Sequence, residues 1–202
     1  MKRNVMYVDE VGRGALAGPV LACAVCIPLL TPQLAQFGKK DSKQLSPGKR
    51  EEIYKAIIQH SGVLWGLGVA SSMVIDKINI HQATRFAMKQ AVQSLRQKLK
   101  KRGVTALSLV IDGTSLLDIQ LPQKAIPKAD ALFAPCAIAS IIAKVKRDRL
   151  MVAYHKRLPS YCFQKHKGYG TAEHLMAISS YGPCAIHRMS FSPIKSRDTL
   201  SV

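Results

Sequence analysis

Short apolar runs separated by turn residues dominate the first seventy positions. Residues 4 to 9 (Asn-Val-Met-Tyr-Val-Asp), 20 to 27 and 63 to 70 each read as a strand, and Gly12-Arg13-Gly14 is a turn between the first two, so the pattern predicts an early meander. Ser46-Pro47 ahead of Glu51 and Glu52 marks the capped start of a helix that runs to about His60. From about His81, the positions Ala83, Phe86, Ala87, Ala91, Leu95 and Leu99 recur at helical spacing, which predicts a long amphipathic helix ending near Gly103. Residues 107 to 111 form an apolar run closed by Asp112-Gly113, a buried strand ending in a turn. Further helices are expected over residues 134 to 155 and 171 to 180. Strands first, then alternating helix and strand, argue for an α/β fold with a mixed sheet. No internal repeat interrupts the pattern.

Composition narrows what such a domain would bind. The chain has 202 residues, 30 Lys and Arg against 12 Asp and Glu, and a net charge of +18, while 48% of its residues are hydrophobic. It can therefore build a core, and the charge excess reflects a shortage of acids, so a polyanion, nucleic acid first, is the expected partner. Residues 96 to 102 and 144 to 149 are the basic stretches expected to attract phosphates. The longest apolar run, residues 20 to 30, is too short to cross a membrane and contains Pro28, and the start lacks a secretory signal, so a cytoplasmic location and no membrane partner are expected. Cys23 and Cys26 form a lone Cys-x-x-Cys inside a strand pattern, without a second pair at zinc spacing. Buried structural thiols are the expected reading for them, and Cys136, Cys162 and Cys184 look no more reactive.

With so few acids, the position of each is informative. Asp9 and Glu10 end the first strand, Asp112 ends a later one, and Asp130 follows Ala125-Ile126-Pro127-Lys128-Ala129. Any one alone would more often serve turn chemistry or capping. Together, carboxylates at strand ends can converge, and crowded hard oxygens suit a divalent cation such as Mg²⁺ or Mn²⁺ better than zinc. Asp148, among Lys144, Lys146, Arg147 and Arg149, is expected to pair locally, and Asp76, Asp118 and Asp198 to lie on the surface.

Six ordered blocks resemble the bacterial ribonuclease HII family. They are the run from Tyr7 to Val20 containing Asp9-Glu10-Val11-Gly12-Arg13-Gly14; Asp41-Ser42-Lys43-Gln44-Leu45-Ser46; Asn79-Ile80-His81-Gln82-Ala83-Thr84; Ile111-Asp112-Gly113; Lys128-Ala129-Asp130 with the stretch from Ala139 to Asp148; and His166-Lys167-Gly168-Tyr169-Gly170-Thr171-Ala172-Glu173-His174. The resemblance implies a ribonuclease H-like fold, a mixed five-stranded sheet flanked by helices over residues 1 to 155, with a small helical C-terminal extension over 156 to 202. It implies an endonuclease that cuts the RNA strand of RNA/DNA hybrids and incises at ribonucleotides embedded in duplex DNA. The family's four acids map onto Asp9, Glu10, Asp112 and Asp130, as catalytic residues and as ligands of two divalent ions, Mn²⁺ or Mg²⁺, about 4 Å apart. Gly12, Arg13 and Gly14 would sense the 2′-hydroxyl, since glycine lets backbone approach closely. Tyr169 would stack on the neighbouring sugar.

Lys43, Asn79, Ser140 and Lys144 sit in matched blocks as phosphate or supporting groups, with a solvated surface role the alternative for each lysine. Tyr161 is expected to pack, and His166 and His174 to make structural hydrogen bonds, with assistance to proton transfer or binding the alternative for the two histidines. Ala129 and Ala131 depart from the Gly and Ser that family members often carry there. The Gly-Arg-Gly turn also separates the chain from the ribonuclease HIII type, whose extra N-terminal domain finds no room here, and a monomer is expected. A noncatalytic nucleic-acid-binding domain and another nuclease of the same fold, such as a resolvase or integrase, are the readings that compete.

Overall fold

A computed structural model describes residues 4–37, 45–105 and 108–195. Five strands, β1 (Val5–Val11), β2 (Val20–Cys26), β3 (Leu64–Ala70), β4 (Ser108–Asp112) and β5 (Gln123–Ile126), form one sheet in the order β3-β2-β1-β4-β5. The first three are antiparallel neighbours, the meander read from the sequence, while β4 and β5 run parallel to β1. All seven residues of β2 are buried because helices cover both its faces, which explains its unbroken apolar run. Cys23 and Cys26 lie three apart on this strand, so they point to opposite faces and belong to different cores. Both are buried, and burial raises their thiols, Cys26 to about 11, as expected of structural cysteines.

Seven helices complete the described chain: α1 (Pro32–Phe37), α2 (Pro47–Gln59), α3 (Ser72–Lys101), α4 (Ala129–Leu132), α5 (Ala134–Arg157), α6 (Phe163–His166) and α7 (Ala172–Tyr181). One face of the sheet packs on α3 and the other on α2 and α5. A β-carbon at Gly66 or Gly68 of β3 would stand 2.4 Å from the Ala91 carbonyl oxygen or 1.9 Å from that of Ala87, so these glycines and α3's alanines let helix and strand meet at backbone distance. The Ser46 hydroxyl caps α2 by accepting from the Lys49 amide, as the Ser-Pro signal predicts.

Three expectations need correction. Helix α3 begins at Ser72, about nine residues before the predicted start, yet it is kinked at Asn79 (φ 62°, ψ 165°). The Asn79 side-chain oxygen accepts from the amides of His81 and Gln82, so the periodic segment does begin near His81, capped by Asn79, and a separate turn of helix precedes it. Phe86, assigned to the apolar stripe, is 42% exposed, whereas Ala83, Ala87, Ala91, Leu95 and Leu99 are buried. Helix α1 and strand β5 have no counterpart in the periodicity: both are short, and β5 (Gln-Lys-Ala-Ile) is an edge strand with one exposed and three half-buried residues.

Candidate active site

Because β1 and β4 are parallel neighbours, with Val8 opposite Ile111, their C-terminal ends bring Asp9 and Asp112 to the same rung of the sheet. The period-2 alternation sends Met6, Val8, Leu109 and Ile111 into the core against α3, so Asp9 and Asp112 emerge together on the α5 face. The Asp112 carboxylate accepts the Ala129 amide at 2.9 Å, which fixes α4 against β4 and delivers Asp130 from its first turn. Carboxylate oxygens of Asp9, Asp112 and Asp130 all lie within 4.8 Å of one another. Glu10, one residue along β1, lies outside this trio because alternation turns it toward the α3 face. There it meets Arg13 at 3.4 Å and lines a small cleft with His81, Arg85 and Asp112.

Burial and crowding together set the charge state of Asp9. Asp9 is 5% exposed, and burial, then Glu10, then Asp112 push its carboxyl well above the usual range, against hydrogen bonds from Ser140 and the Glu10 amide. Burial raises Glu10 as well, opposed by Arg13. The buried Cys136 thiol, behind the cluster, is raised by burial and then by Asp9, Asp112, Asp130 and Glu10. Carboxylates held this close and this dry are stabilised by a cation that bridges them, and their hard oxygens suit Mg²⁺ or Mn²⁺.

Beside the acids opens a groove of about 510 Å³, lined by residues that include Glu10, Arg50, Ser140, Lys144, Lys167 and Tyr169. Ser140 and Lys144, expected as phosphate or supporting groups, both line this groove from α5. The Lys144 ammonium pairs with Asp148 at 2.8 Å and sits 5.9 Å from the Tyr169 ring centre, and burial lowers it despite Asp148. Asn79 is spent on its own helix, and Lys43 lies outside the described residues.

The Gly-Arg-Gly turn divides its labour. Gly12 has φ +92°, and a β-carbon there would strike the Arg147 guanidinium at 2.1 Å, so the fold itself demands glycine. A β-carbon on Gly14 would meet nothing within 4 Å, and Gly14 is exposed beside exposed Arg13.

Two arginines hold this loop from beneath, and the sequence did not mark them. Arg147, counted among phosphate-attracting cations, is fully buried and donates to the carbonyls of Ala17, Pro19 and Lys167. Arg188, also fully buried, donates to those of Gly12, Arg13 and Gly18 at 2.6–3.0 Å. The other basic stretch is also displaced. Arg96 lies fifteen residues along α3 from His81, about 22 Å from the cleft. There Lys98 covers the Trp65 ring and Arg102 donates to the Ser61 carbonyl.

The remaining assignments divide. Asp148 pairs with Lys144 and Arg50, and Asp118 with Lys89. Asp76, read as a surface acid, instead ties α3 to the C-terminal segment by accepting from the Met189 and Ser190 amides and the Ser190 hydroxyl. Tyr161 packs against Phe163 and donates to the Gly182 carbonyl at 2.8 Å. Among the described residues no helix is long and apolar enough to cross a membrane.

Two carboxylates at adjacent parallel strand ends, joined by a third from α4, fit a ribonuclease of the H class. The crystal structure of the ribonuclease H2 from Pyrococcus horikoshii superposes with a TM-score of 0.75 at 25% identity, covering 98% of each chain. A family model described as ribonuclease HII matches residues 6–194. Ribonuclease HII of Geotalea daltonii is 46% identical over 93% of this chain and 82% of the relative, and that of Geobacter metallireducens is 48% identical over 95% and 84%. The chain belongs to the ribonuclease HII family and is accordingly an endonuclease that hydrolyses phosphodiester bonds in RNA strands.

Proposed function

We propose that this enzyme cuts the RNA strand of RNA/DNA hybrids and incises duplex DNA at embedded ribonucleotides, leaving 3′-hydroxyl and 5′-phosphate ends. The observation that carries the reading is the meeting of three carboxylates within 4.8 Å beside a groove bearing Tyr169. Asp9, Asp112 and Asp130 would hold divalent cations, with Glu10 completing the site from the α3 side. Bound there, two Mg²⁺ or Mn²⁺ ions would supply a nucleophile from water at neutral pH and neutralise charge on the scissile phosphate and leaving oxygen. Ser140 orients Asp9 through the hydrogen bond that favours its ionised form.

Discrimination falls to the glycine turn and the tyrosine loop. Gly14, exposed with no internal reason to be glycine, leaves backbone open to a 2′-hydroxyl, and Arg13 beside it offers a cation to the neighbouring phosphate. The half-buried Tyr169 ring, with Arg147 5.4 Å from its centre, offers a flat face to the adjoining sugar. The short segments after α5 carry this ring and pack on the Gly12–Gly18 loop through Ala17 and Leu16.

The test is incision of a duplex with one ribonucleotide in Mg²⁺. Asp130→Asn is expected to lose cleavage and to weaken Mg²⁺ binding in calorimetry. Cleavage at the wild-type rate would refute the reading.

A further inference from the structure

Tyr169 is held at both ends of its residue. Its amide donates to the His166 carbonyl at 3.0 Å, and its carbonyl accepts from the Thr171 amide at 2.8 Å and faces His174 Nδ1 at 2.9 Å. His174 is fully buried, and its Nε2 lies 3.0 Å from Nε2 of His187, which is 2% exposed. His187 Nδ1 accepts the Cys184 amide at 2.8 Å. These partners determine where every proton sits. An Nδ1 that accepts an amide carries no hydrogen, so neutral His187 holds its proton on Nε2 and donates to His174 Nε2. His174 must then hold its own proton on Nδ1, aimed at the Tyr169 carbonyl.

We infer that His187 and His174 form a directional hydrogen-bond relay, from the Cys184 amide to the Tyr169 carbonyl, that positions Tyr169 for the ribonucleotide junction. The proposal rests on the assignment of Tyr169 as the sugar-stacking residue. His166 braces the same loop independently: its Nδ1 accepts the Gly168 amide, its Nε2 donates to the Tyr161 carbonyl, and its ring stacks on His174 at 4.3 Å. The braced loop in turn sets the ribose-facing turn. The Gly168 carbonyl accepts the amides of Leu16 and Ala17, and a β-carbon on Gly168 would lie 2.4 Å from the Ala17 oxygen.

Both histidines must stay neutral for the relay to exist, since an imidazolium at either position puts two donors face to face. Their surroundings favour this: burial lowers His174 and His187 each to about 4. The ionisable groups facing the pair are His166, Tyr161 and Cys184, with Glu173, Lys165 and Lys167 acting on His166.

The relay is tested first on the wild-type protein by long-range ¹H–¹⁵N NMR of the histidine rings. His174 is expected as the Nδ1–H tautomer and His187 as Nε2–H; His174 found as Nε2–H would overturn the relay. The second test measures kcat and KM on a duplex with one embedded ribonucleotide, for His187→Leu, His187→Gln, Tyr169→Ala and the double variant His187→Leu/Tyr169→Ala. His187→Leu is expected to lose roughly tenfold in kcat/KM, in the range for residues that orient a functional group through another, and His187→Gln, which restores an N–H donor, to stay within about threefold of wild type. On the Tyr169→Ala background His187→Leu should add less than about twofold, because both act through one side chain. If Tyr169→Ala is impaired while His187→Leu cleaves like wild type, or while its loss adds in full, the relay falls and the Tyr169 assignment survives. If Tyr169→Ala itself cleaves like wild type, the assignment falls and the relay with it.

Discussion

Three acids from β1, β4 and α4 crowd within 4.8 Å, whereas the glycine turn and the tyrosine loop near them are held by histidines and buried arginines. The acidic side is placed by two parallel strands and the hydrogen bond from Ala129 to Asp112, and it holds Asp9 buried against the neighbouring carboxylates Glu10 and Asp112. The turn and the tyrosine loop are placed by contacts between residues up to 176 positions apart, such as Arg188 to Gly12, and their buried arginines and histidines are matched donor to acceptor.

This contrast is sharpened first at Asp9. Asp9→Asn should lower cleavage by roughly 10³-fold, since it removes several kcal/mol of transition-state charge stabilisation. In chelator, however, it should raise Tm. The folded carboxyl titrates above its unfolded value, so it destabilises the fold once pH exceeds the unfolded pKa, and amidation removes that cost. A fall in Tm would show that Asp9 is not electrostatically strained.

The turn and the tyrosine loop should respond in the opposite sense. Arg188→Leu leaves the carbonyls of Gly12, Arg13 and Gly18 without their donor and should cost about 3 kcal/mol, read as a lowered denaturation midpoint, whereas a midpoint shift under about 0.5 kcal/mol would mean the loop holds itself. The two glycines should separate next. Gly12→Ala should unfold or strongly destabilise the protein, while Gly14→Ala should leave stability within about 0.5 kcal/mol and reduce cleavage roughly tenfold. Equal effects on stability would remove the distinction between a glycine required by the fold and one exposed to substrate.

Acid supplies a gentler probe. His174 and His187 have folded pKa values depressed to about 4, so the unfolded chain binds more protons below about 6.5. Their contribution to stability is therefore full above that pH and is lost as pH falls toward 4. Replacing His187 with Gln should flatten that part of the urea-midpoint profile.

What the sequence shows of this molecule follows the same division. The acids were legible because Asp9 and Asp112 close apolar strand runs in a chain poor in carboxylates. Arg147 and Arg188 were not, since nothing local distinguishes a cation that will be buried under three carbonyls from one that faces phosphate. His187 was hidden likewise, its role existing only once the C-terminal segment folds back on α7. Asn79 shows a mixed case: the start of the periodic helix was readable, but the positive φ that makes Asn79 both kink and cap was not.

The most direct measurement is cleavage of matched duplexes carrying zero, one or four ribonucleotides in Mg²⁺, with product ends mapped. The account predicts no cut in the all-DNA duplex, and cuts at the ribonucleotides of the other two with 3′-hydroxyl and 5′-phosphate ends. Equal cleavage of the all-DNA duplex would contradict it.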